Sequence, residues 1–420
     1  MNKTIDLKPL RKVGNNLPQK IILSAVFLVP ALLLWTPNFS VGVIALVAIY
    51  SIHYVITHSK EITLNIFDKI VLFCFSSYLL VNLPNILIDT GNFRYIDAPI
   101  RILACFPIYI LLKQELPKVR IKNALELGAI IGALGAFSIA AIQYFFLSYS
   151  RVDGFLFSIN FGYLSCSIAF LNLCLLSSSK RKTLLLSGFS FAIAATILTL
   201  TRGAILTIPL LLGIWLFFNF KSVKKRYIFS SFIILTIASI ISYQQSEGLK
   251  KRVDFTIHEI VEISKGNIAG ARSSGGRLQL WYAATESLKE SPLIGLTYPE
   301  RESLIQEMYD EKKLTSWMIG VSRGHAHSQY FEMIASNGVL AVFPILMMLV
   351  YPIFISLRLK PSVFRTTSIT FFTGICLFGL TEVLLQANLI SVYFGFFMAI
   401  FLAGIHYGTA DDITFSNNER

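Results

Sequence analysis

Charged residues are scarce in this chain. Asp, Glu, Lys and Arg together make up 15% of its 420 residues, whereas hydrophobic residues make up 54%. An ordinary soluble domain has about 25% charged residues, so this composition excludes one. Apolar runs recur along the whole length, and a run of about 20 such residues can cross a bilayer as a helix. The sequence therefore predicts an all-α integral membrane protein with many spans.

Cysteines are also few. All five lie inside apolar runs, and no pair has the spacing of a zinc site; they are Cys74, Cys105, Cys166, Cys174 and Cys376. Such cysteines are typical of small buried side chains, so neither a disulfide nor a cysteine-bound metal is predicted. Basic residues outnumber acidic ones, which gives a formal net charge of +13. In a membrane protein this excess first reports orientation, and it does not predict nucleic-acid binding.

Hydropathy predicts about twelve membrane spans. They lie near 21–37, 41–57, 70–88, 98–112, 124–147, 156–176, 184–200, 203–220, 227–243, 334–357, 366–386 and 389–407. Basic residues concentrate in alternate connections, such as 113–122, 180–182 and 221–226. Because Lys and Arg in short loops mark the cytoplasmic side, both termini are predicted to be cytoplasmic. The lysines before the first run indicate a true span there and not a signal peptide.

The predicted membrane topology divides the chain into three parts. Residues 1–243 are expected to hold the first nine spans, 244–333 one large periplasmic loop, and 334–420 the last three spans and a cytoplasmic tail. Within the loop, 247–266 and 276–296 carry apolar residues at helical spacing. Two amphipathic helices are therefore predicted there, separated by a Gly/Ser-rich break.

Arginine is the only basic residue in the short outer connections. The four positions are Arg94, Arg101, Arg151 and Arg202. Four residues are a small sample, and Arg202, where two spans meet, could simply reach out to the membrane interface. A guanidinium group is nevertheless permanently charged and binds phosphate oxygens in a bidentate fork. The pattern therefore favours a site for a phosphorylated ligand.

Arg277 follows two glycines at the start of the second amphipathic helix. Backbone N–H groups at a helix start attract an anion, and Arg277 can add a charged clamp there. The alternative is an ordinary solvated helix start. Trp281 lies one turn later on the same face, where it either covers a sugar ring or belongs to the core.

Two of the six histidines, His325 and His327, stand just before the tenth predicted span. On a helix they would point to different faces, unlike the i, i+4 pair of a zinc site. On an extended segment both could face one metal, but no third His or Cys is near in sequence, so no metal is predicted. A neutral imidazole suits a general base, while the alternative is a capping or headgroup-facing pair. Glu332 either orients His327 or pairs with an arginine.

Three stretches resemble the O-antigen ligase and polymerase superfamily. "HSQYFEMIASNGVLA" is similar to the ligase signature, "TRGA" at 201–204 to the motif that opens a span, and "GGRLQLWYAATESLKESPLIGL" to the Arg…Trp…Pro-Leu-x-Gly segment. The defining positions of the signature correspond to His327, Ser328, Gly338 and Ala341. Together with the twelve predicted spans and the one large outer loop, the resemblance covers essentially the whole chain. The signature ends in Val342 instead of a hydroxyl residue, and Asn388 replaces the basic residue of some relatives. These departures leave ligase and polymerase as alternatives.

The resemblance implies a metal-independent, GT-C-like glycosyltransferase without a cofactor. It would join O-antigen polysaccharide from undecaprenyl pyrophosphate to lipid A–core at the periplasmic face of a Gram-negative inner membrane. By motif, His327 would be the base, and Arg202 and Arg277 would stabilise the departing pyrophosphate. Further substrate contacts are expected from Arg94, Arg101, Arg151, Trp281, His325 and Glu332.

Two other functions compete with the ligase. A polymerase would use the same donor but elongate the glycan, and a transporter would catalyse no reaction. Transporters often show inverted repeats and broken helices at the midplane, whereas polar residues here cluster at one outer face. The donor, the acceptor and membrane lipids are therefore the expected partners, with no nucleic acid. The sequence identifies neither the sugars nor the oligomeric state.

Overall fold

Helices make up the architecture. The computed structural model describes residues 17–116, 119–220, 243–244, 247–320 and 325–406, and no strand occurs in these ranges. We number the helices α1 Leu17–Leu32, α2 Phe39–Thr57, α3 Ile66–Ile88, α4 Arg94–Leu103, α5 Phe106–Glu115, α6 Lys122–Phe146, α7 Ser158–Ser178, α8 Lys182–Leu198, α9 Arg202–Asn219, α10 Glu247–Ser264, α11 Arg272–Glu290, α12 Tyr298–Asp310, α13 Ser316–Gly320, α14 Gln329–Leu357, α15 Val363–Gly379 and α16 Asn388–His406.

Membrane-length helices are confirmed throughout the described part of the chain. Eight helical runs are long and apolar enough to cross a bilayer, with α4 and α5 counted as one run. Shorter apolar helices, α1, α8 and α15, coincide with three further predicted spans. The remaining span, predicted at 227–243, lies outside the described residues except for its last position. The prediction of an all-α integral membrane protein is therefore confirmed.

Helix α16 lies at the centre of the bundle. It is apolar on every side, and 94% of its membrane window is buried against α2, α4 and α5 among others. A helix that is hydrophobic all round is expected to be buried in this way. The fourth predicted span, by contrast, is broken at Ala104 and Cys105, so that α4 carries Arg94 and Arg101 on a separate amphipathic segment.

Residues 247–320, which we call the loop segment, cover one end of the bundle, which we call the loop face. Both amphipathic helices predicted for this segment are present as α10 and α11, and α12 is an additional helix. Two glycines bring the segment close to α14. Gly295 (φ 69°) and Gly338 (φ 55°) adopt left-handed conformations, and a Cβ on either would collide with the opposing backbone. Backbone hydrogen bonds join the two segments, among them Leu296 N–H to Ala335 O, 2.8 Å, and Val339 N–H to Pro292 O, 2.8 Å.

A buried ion pair also fixes the loop segment. Arg301 of α12 holds Glu332 of α14 in a bidentate pair, with N–O distances of 2.9 and 3.0 Å. Arg301 also donates to Ser336, at 2.9 Å. Of the two roles predicted for Glu332, the structure therefore gives it the ion pair with an arginine and not the orientation of His327. Its partner, Arg301, was not predicted.

Candidate active site

The histidine segment precedes α14 and is not helical. His327 has a φ of 46°, a left-handed conformation that is uncommon for a residue with a side chain and often occurs at functional sites. Hydrogen bonds hold the segment on both sides of His327. Ala326 N–H donates to Glu332, at 2.8 Å, and Ser328 Oγ donates to Gly379 O, at 3.2 Å. This backbone is set by α14 and the end of α15.

Both imidazole rings face the carboxylate of Glu382. His327 Nδ1 lies 3.1 Å from Oε2, and His325 Nδ1 lies 3.5 Å from Oε1. The two rings meet edge to face, with centroids 4.4 Å apart. The helical alternative, in which the histidines would point to different faces, does not apply, because the helix begins only after them. Sequence reasoning missed Glu382, whose only signal is a carboxylate between two apolar spans.

Electrostatics link these three groups. Burial raises the pKa of the Glu382 carboxyl, but the hydrogen bond with His327 and the charges of both histidines outweigh it, so the pKa lies below its usual value. Burial lowers the pKa of His325, although the carboxylate of Glu382 opposes that effect. Glu382 is therefore ionised and His325 neutral near pH 7.

A metal ion would also fit this geometry. The ligand atoms of His325, His327 and Glu382 all lie within 4.8 Å of one another. Two imidazoles and a carboxylate are a known zinc ligand set. The sequence shows no third His or Cys near the two histidines, but the fold brings in a carboxylate that is 55 residues away from His327. The prediction that no metal is needed remains a prediction.

The predicted anion position at the start of α11 is filled by Glu259 of α10. This carboxylate is fully buried and forms an ion pair with Arg202. Ser274, in the first turn of α11, donates to it through both N–H (3.0 Å) and Oγ (2.8 Å). Burial raises the pKa of Glu259, but these hydrogen bonds and Arg202 lower it below its usual value. The helix begins at Arg272, earlier than predicted, and its first turn binds an anion that belongs to the protein.

Arg202 and Arg252 both interact with this carboxylate. They also interact electrostatically with two further arginines, and we call the four the arginine cluster: Arg151, Arg202, Arg252 and Arg277. Burial lowers the pKa of Arg151, and the like charges of Arg202 and Arg277 lower it further. Burial and the charges of Arg202 and Arg151 have the same effect on Arg252. The cluster brings together three of the predicted arginines and adds Arg252, which the sequence did not single out.

Gly203 connects the arginine cluster to the histidines. A Cβ on Gly203 would collide with Tyr163 and Thr381, whose hydroxyls are themselves 2.5 Å apart. The start of α9, which carries Arg202, therefore packs directly against Thr381. Since Thr381 precedes Glu382, the arginine cluster and the His–Glu group are neighbours at the loop face. The glycine of the "TRGA" motif is explained by this close approach.

A cavity of about 860 Å³ opens beside the His–Glu group. Arg151, His325, His327 and Glu382 line its polar part. Its remaining walls include the apolar side chains Phe155, Leu156, Phe157, Leu389 and Ile390. A cavity with a charged end and apolar walls suits an amphiphilic ligand.

Three residues predicted to touch substrate are occupied with protein contacts. Trp281 stacks on Phe331 at 4.9 Å and donates to Ala326 O at 3.0 Å, so it supports the histidine segment. The guanidinium of Arg94 lies 4.0 Å from the ring centre of Tyr298. Arg101 pairs with Asp97 on its own helix. None of the three lines the cavity in the part of the chain that the structure describes.

Comparison with known proteins finds one matching family and one similar protein. Residues 187–346 match the family described as O-antigen ligase. This segment contains Arg202, Arg277 and His327, the three residues that the motifs assigned to chemistry. An uncharacterized protein of Haemophilus influenzae is 25% identical over 309 residues, which cover 72% of this chain and 76% of that protein. These matches support membership of the O-antigen ligase/polymerase superfamily.

Proposed function

We propose that the protein is an O-antigen ligase, which transfers a polysaccharide from undecaprenyl pyrophosphate to lipid A–core. The observation that carries the proposal is the adjacency of two groups. The arginine cluster, whose four guanidinium groups exceed the single negative charge of Glu259, lies beside His327, which is paired with Glu382. Such a pair of groups suits a reaction in which a hydroxyl loses a proton while a diphosphate departs.

The arginine cluster would act on the leaving group. The acceptor hydroxyl oxygen forms a bond to the anomeric carbon of the donor sugar, and the bond from that carbon to pyrophosphate breaks. Pyrophosphate keeps the electron pair, so negative charge develops on its oxygens. Arg202 and Arg277, with Arg151 and Arg252 nearby, would stabilise that charge with permanent guanidinium cations.

His327 would take the proton of the acceptor hydroxyl. Its pair with Glu382 uses Nδ1, and no hydrogen bond to Nε2 occurs among the described residues. An imidazole nitrogen with a free lone pair can accept a proton from a hydroxyl, which suits a general base. The cavity beside it also supports an amphiphilic donor, because charged and apolar walls adjoin.

Orientation in the membrane follows from the same proposal. The lipid-linked donor carries its glycan on the periplasmic side, so the loop face would be periplasmic and both termini cytoplasmic. The basic connections support this, since Lys113, Lys122 and Arg181 lie at the opposite end of the bundle from the loop face. The membrane would be the Gram-negative inner membrane.

The lipopolysaccharide profile of a strain lacking this protein tests the proposal. A ligase predicts loss of every polymer-capped band and accumulation of undecaprenyl-linked polymer. Lipid A–core that carries a single repeat would instead indicate the polymerase. Asn388, which stands where some relatives have a basic residue, lies on the cavity wall and is the departure that keeps this alternative open. Wild-type protein should restore capping and His327→Ala should not, at equal membrane abundance. An unchanged lipopolysaccharide profile would overturn both the ligase proposal and the polymerase alternative.

A further inference from the structure

We propose that Glu382 is the positioning residue of His327, and that Nε2 of His327 is the proton-accepting atom. The proposal rests on the proposed function, because it assigns a partner to the base of that reaction. The carboxylate would fix the tautomer by accepting the Nδ1 proton, which leaves the Nε2 lone pair for the acceptor hydroxyl. It would also stabilise the imidazolium that forms when the proton arrives.

The anchoring of Glu382 gives it two separate contacts. Its Oε1 accepts the N–H of Val383 at 3.0 Å, while Oε2 lies 3.1 Å from His327 Nδ1. The side chain is only 7% exposed, whereas His327 is 30% exposed. A buried carboxylate is held firmly by its own backbone, and the ring it contacts can still reach the cavity. This arrangement is expected for a group that orients a reactive neighbour.

The backbone of His327 argues against a purely structural pair. A left-handed φ is unfavourable for a residue with a side chain, and it persists where the surroundings enforce it. His325 accepts the N–H of His327 through Nδ1, at 3.3 Å, and so helps to hold the backbone that presents the second ring to Glu382. The segment is shaped around His327.

Substitutions at position 382 separate charge from shape. Glu382→Gln preserves size but can offer N–H to Nδ1, which selects the wrong tautomer. We expect kcat to fall by about 10²–10⁴-fold in Glu382→Gln, with the donor KM nearly unchanged. Glu382→Asp should retain more activity than Glu382→Gln, because it keeps the carboxylate. Formate should partly restore Glu382→Ala, since the position opens onto the cavity.

A double-variant comparison decides whether Glu382 acts through His327. His327→Ala and His327→Ala/Glu382→Gln should have equal rates, because the carboxylate has no base left to position. Glu311→Gln, which changes an exposed carboxylate paired with Lys313, serves as the matched control and should be fully active. Fully additive losses, or a rise in KM that accounts for the effect of Glu382→Gln, would overturn the proposal.

Modification by diethyl pyrocarbonate gives a readout that does not require transfer activity. In the wild-type protein, His327 should be modified at Nε2, and Glu382→Ala should raise the share modified at Nδ1. Equal shares in both proteins would overturn the assignment of Nε2. If wild-type protein fails to transfer glycan but shows this dependence on Glu382, the proposed function fails and the pairing stands.

Discussion

Arg202 illustrates how much one residue depends on its setting. Its ion pair with the buried Glu259 removes the snorkelling explanation, because the side chain turns into the loop segment and not toward the membrane surface. One carboxylate cannot neutralise the four guanidinium groups of the arginine cluster. The residual positive charge can attract a diphosphate even while Glu259 keeps Arg202 in place.

Replacement of arginine by lysine tests the need for a bidentate fork. We expect Arg202→Lys and Arg277→Lys to insert normally but to lose roughly 10²-fold or more in transfer rate, since a point charge replaces a planar fork. Arg181→Lys is the matched control, because Arg181 pairs with Glu126 at the opposite end of the bundle. Transfer is measured at matched membrane abundance. Near-normal rates in both cluster variants would contradict the leaving-group role.

At the scale of elements, the motif glycines mark the places where helices and loops meet. Gly295 and Gly338 lie where the loop segment reaches α14, and Gly203 lies where α9 reaches the Tyr163–Thr381 pair. Each has a different neighbour, but all three positions leave no room for a side chain. All three family motifs therefore also serve packing, next to the residues that would do chemistry.

A side chain at Gly203 should disturb the site through packing. Gly203→Ala forces Tyr163 and Thr381 to move, and strain of this kind typically costs about 1–3 kcal/mol. We expect a lower melting temperature in detergent and reduced transfer, because Thr381 adjoins Glu382. Gly213→Ala, in the same helix with open space around it, should leave both unchanged or slightly raise stability. Equal behaviour of the two variants would refute the packing role.

Helices were predictable from the sequence, whereas their contacts were not. Burial of an apolar run does not depend on which neighbour covers it, so α2, α3 and α16 followed from hydropathy. The contact of His327 with Glu382 joins residues 55 positions apart and depends on the turn after α15. Arg252 was missed for a related reason, since "LKKRVDF" resembles the solvated face of any amphipathic helix.

Across the whole molecule, polar chemistry is concentrated at one end of an apolar bundle. The arginine cluster, the His–Glu group and the cavity all lie at the loop face, where a lipid-linked substrate can keep its chain among the helices. The opposite end carries pairs such as Lys113 with Asp68 and Arg181 with Glu126, which join helix ends. This asymmetry favours an enzyme acting at one surface over a transporter that must open to both.

Transfer should require no divalent metal, because the arginine cluster already supplies fixed positive charge for the diphosphate. Purified protein with lipid-linked donor and lipid A–core acceptor should therefore stay active in excess EDTA. The proximity of His325, His327 and Glu382 makes this a demanding test, since these three groups could bind zinc. A metal enzyme would lose activity with EDTA, recover it with one specific cation, and lose bound metal in His325→Ala. If His327 is instead a base that is hydrogen-bonded to Glu382 through Nδ1, none of these effects is expected, because that hydrogen bond requires no metal ion between the two groups.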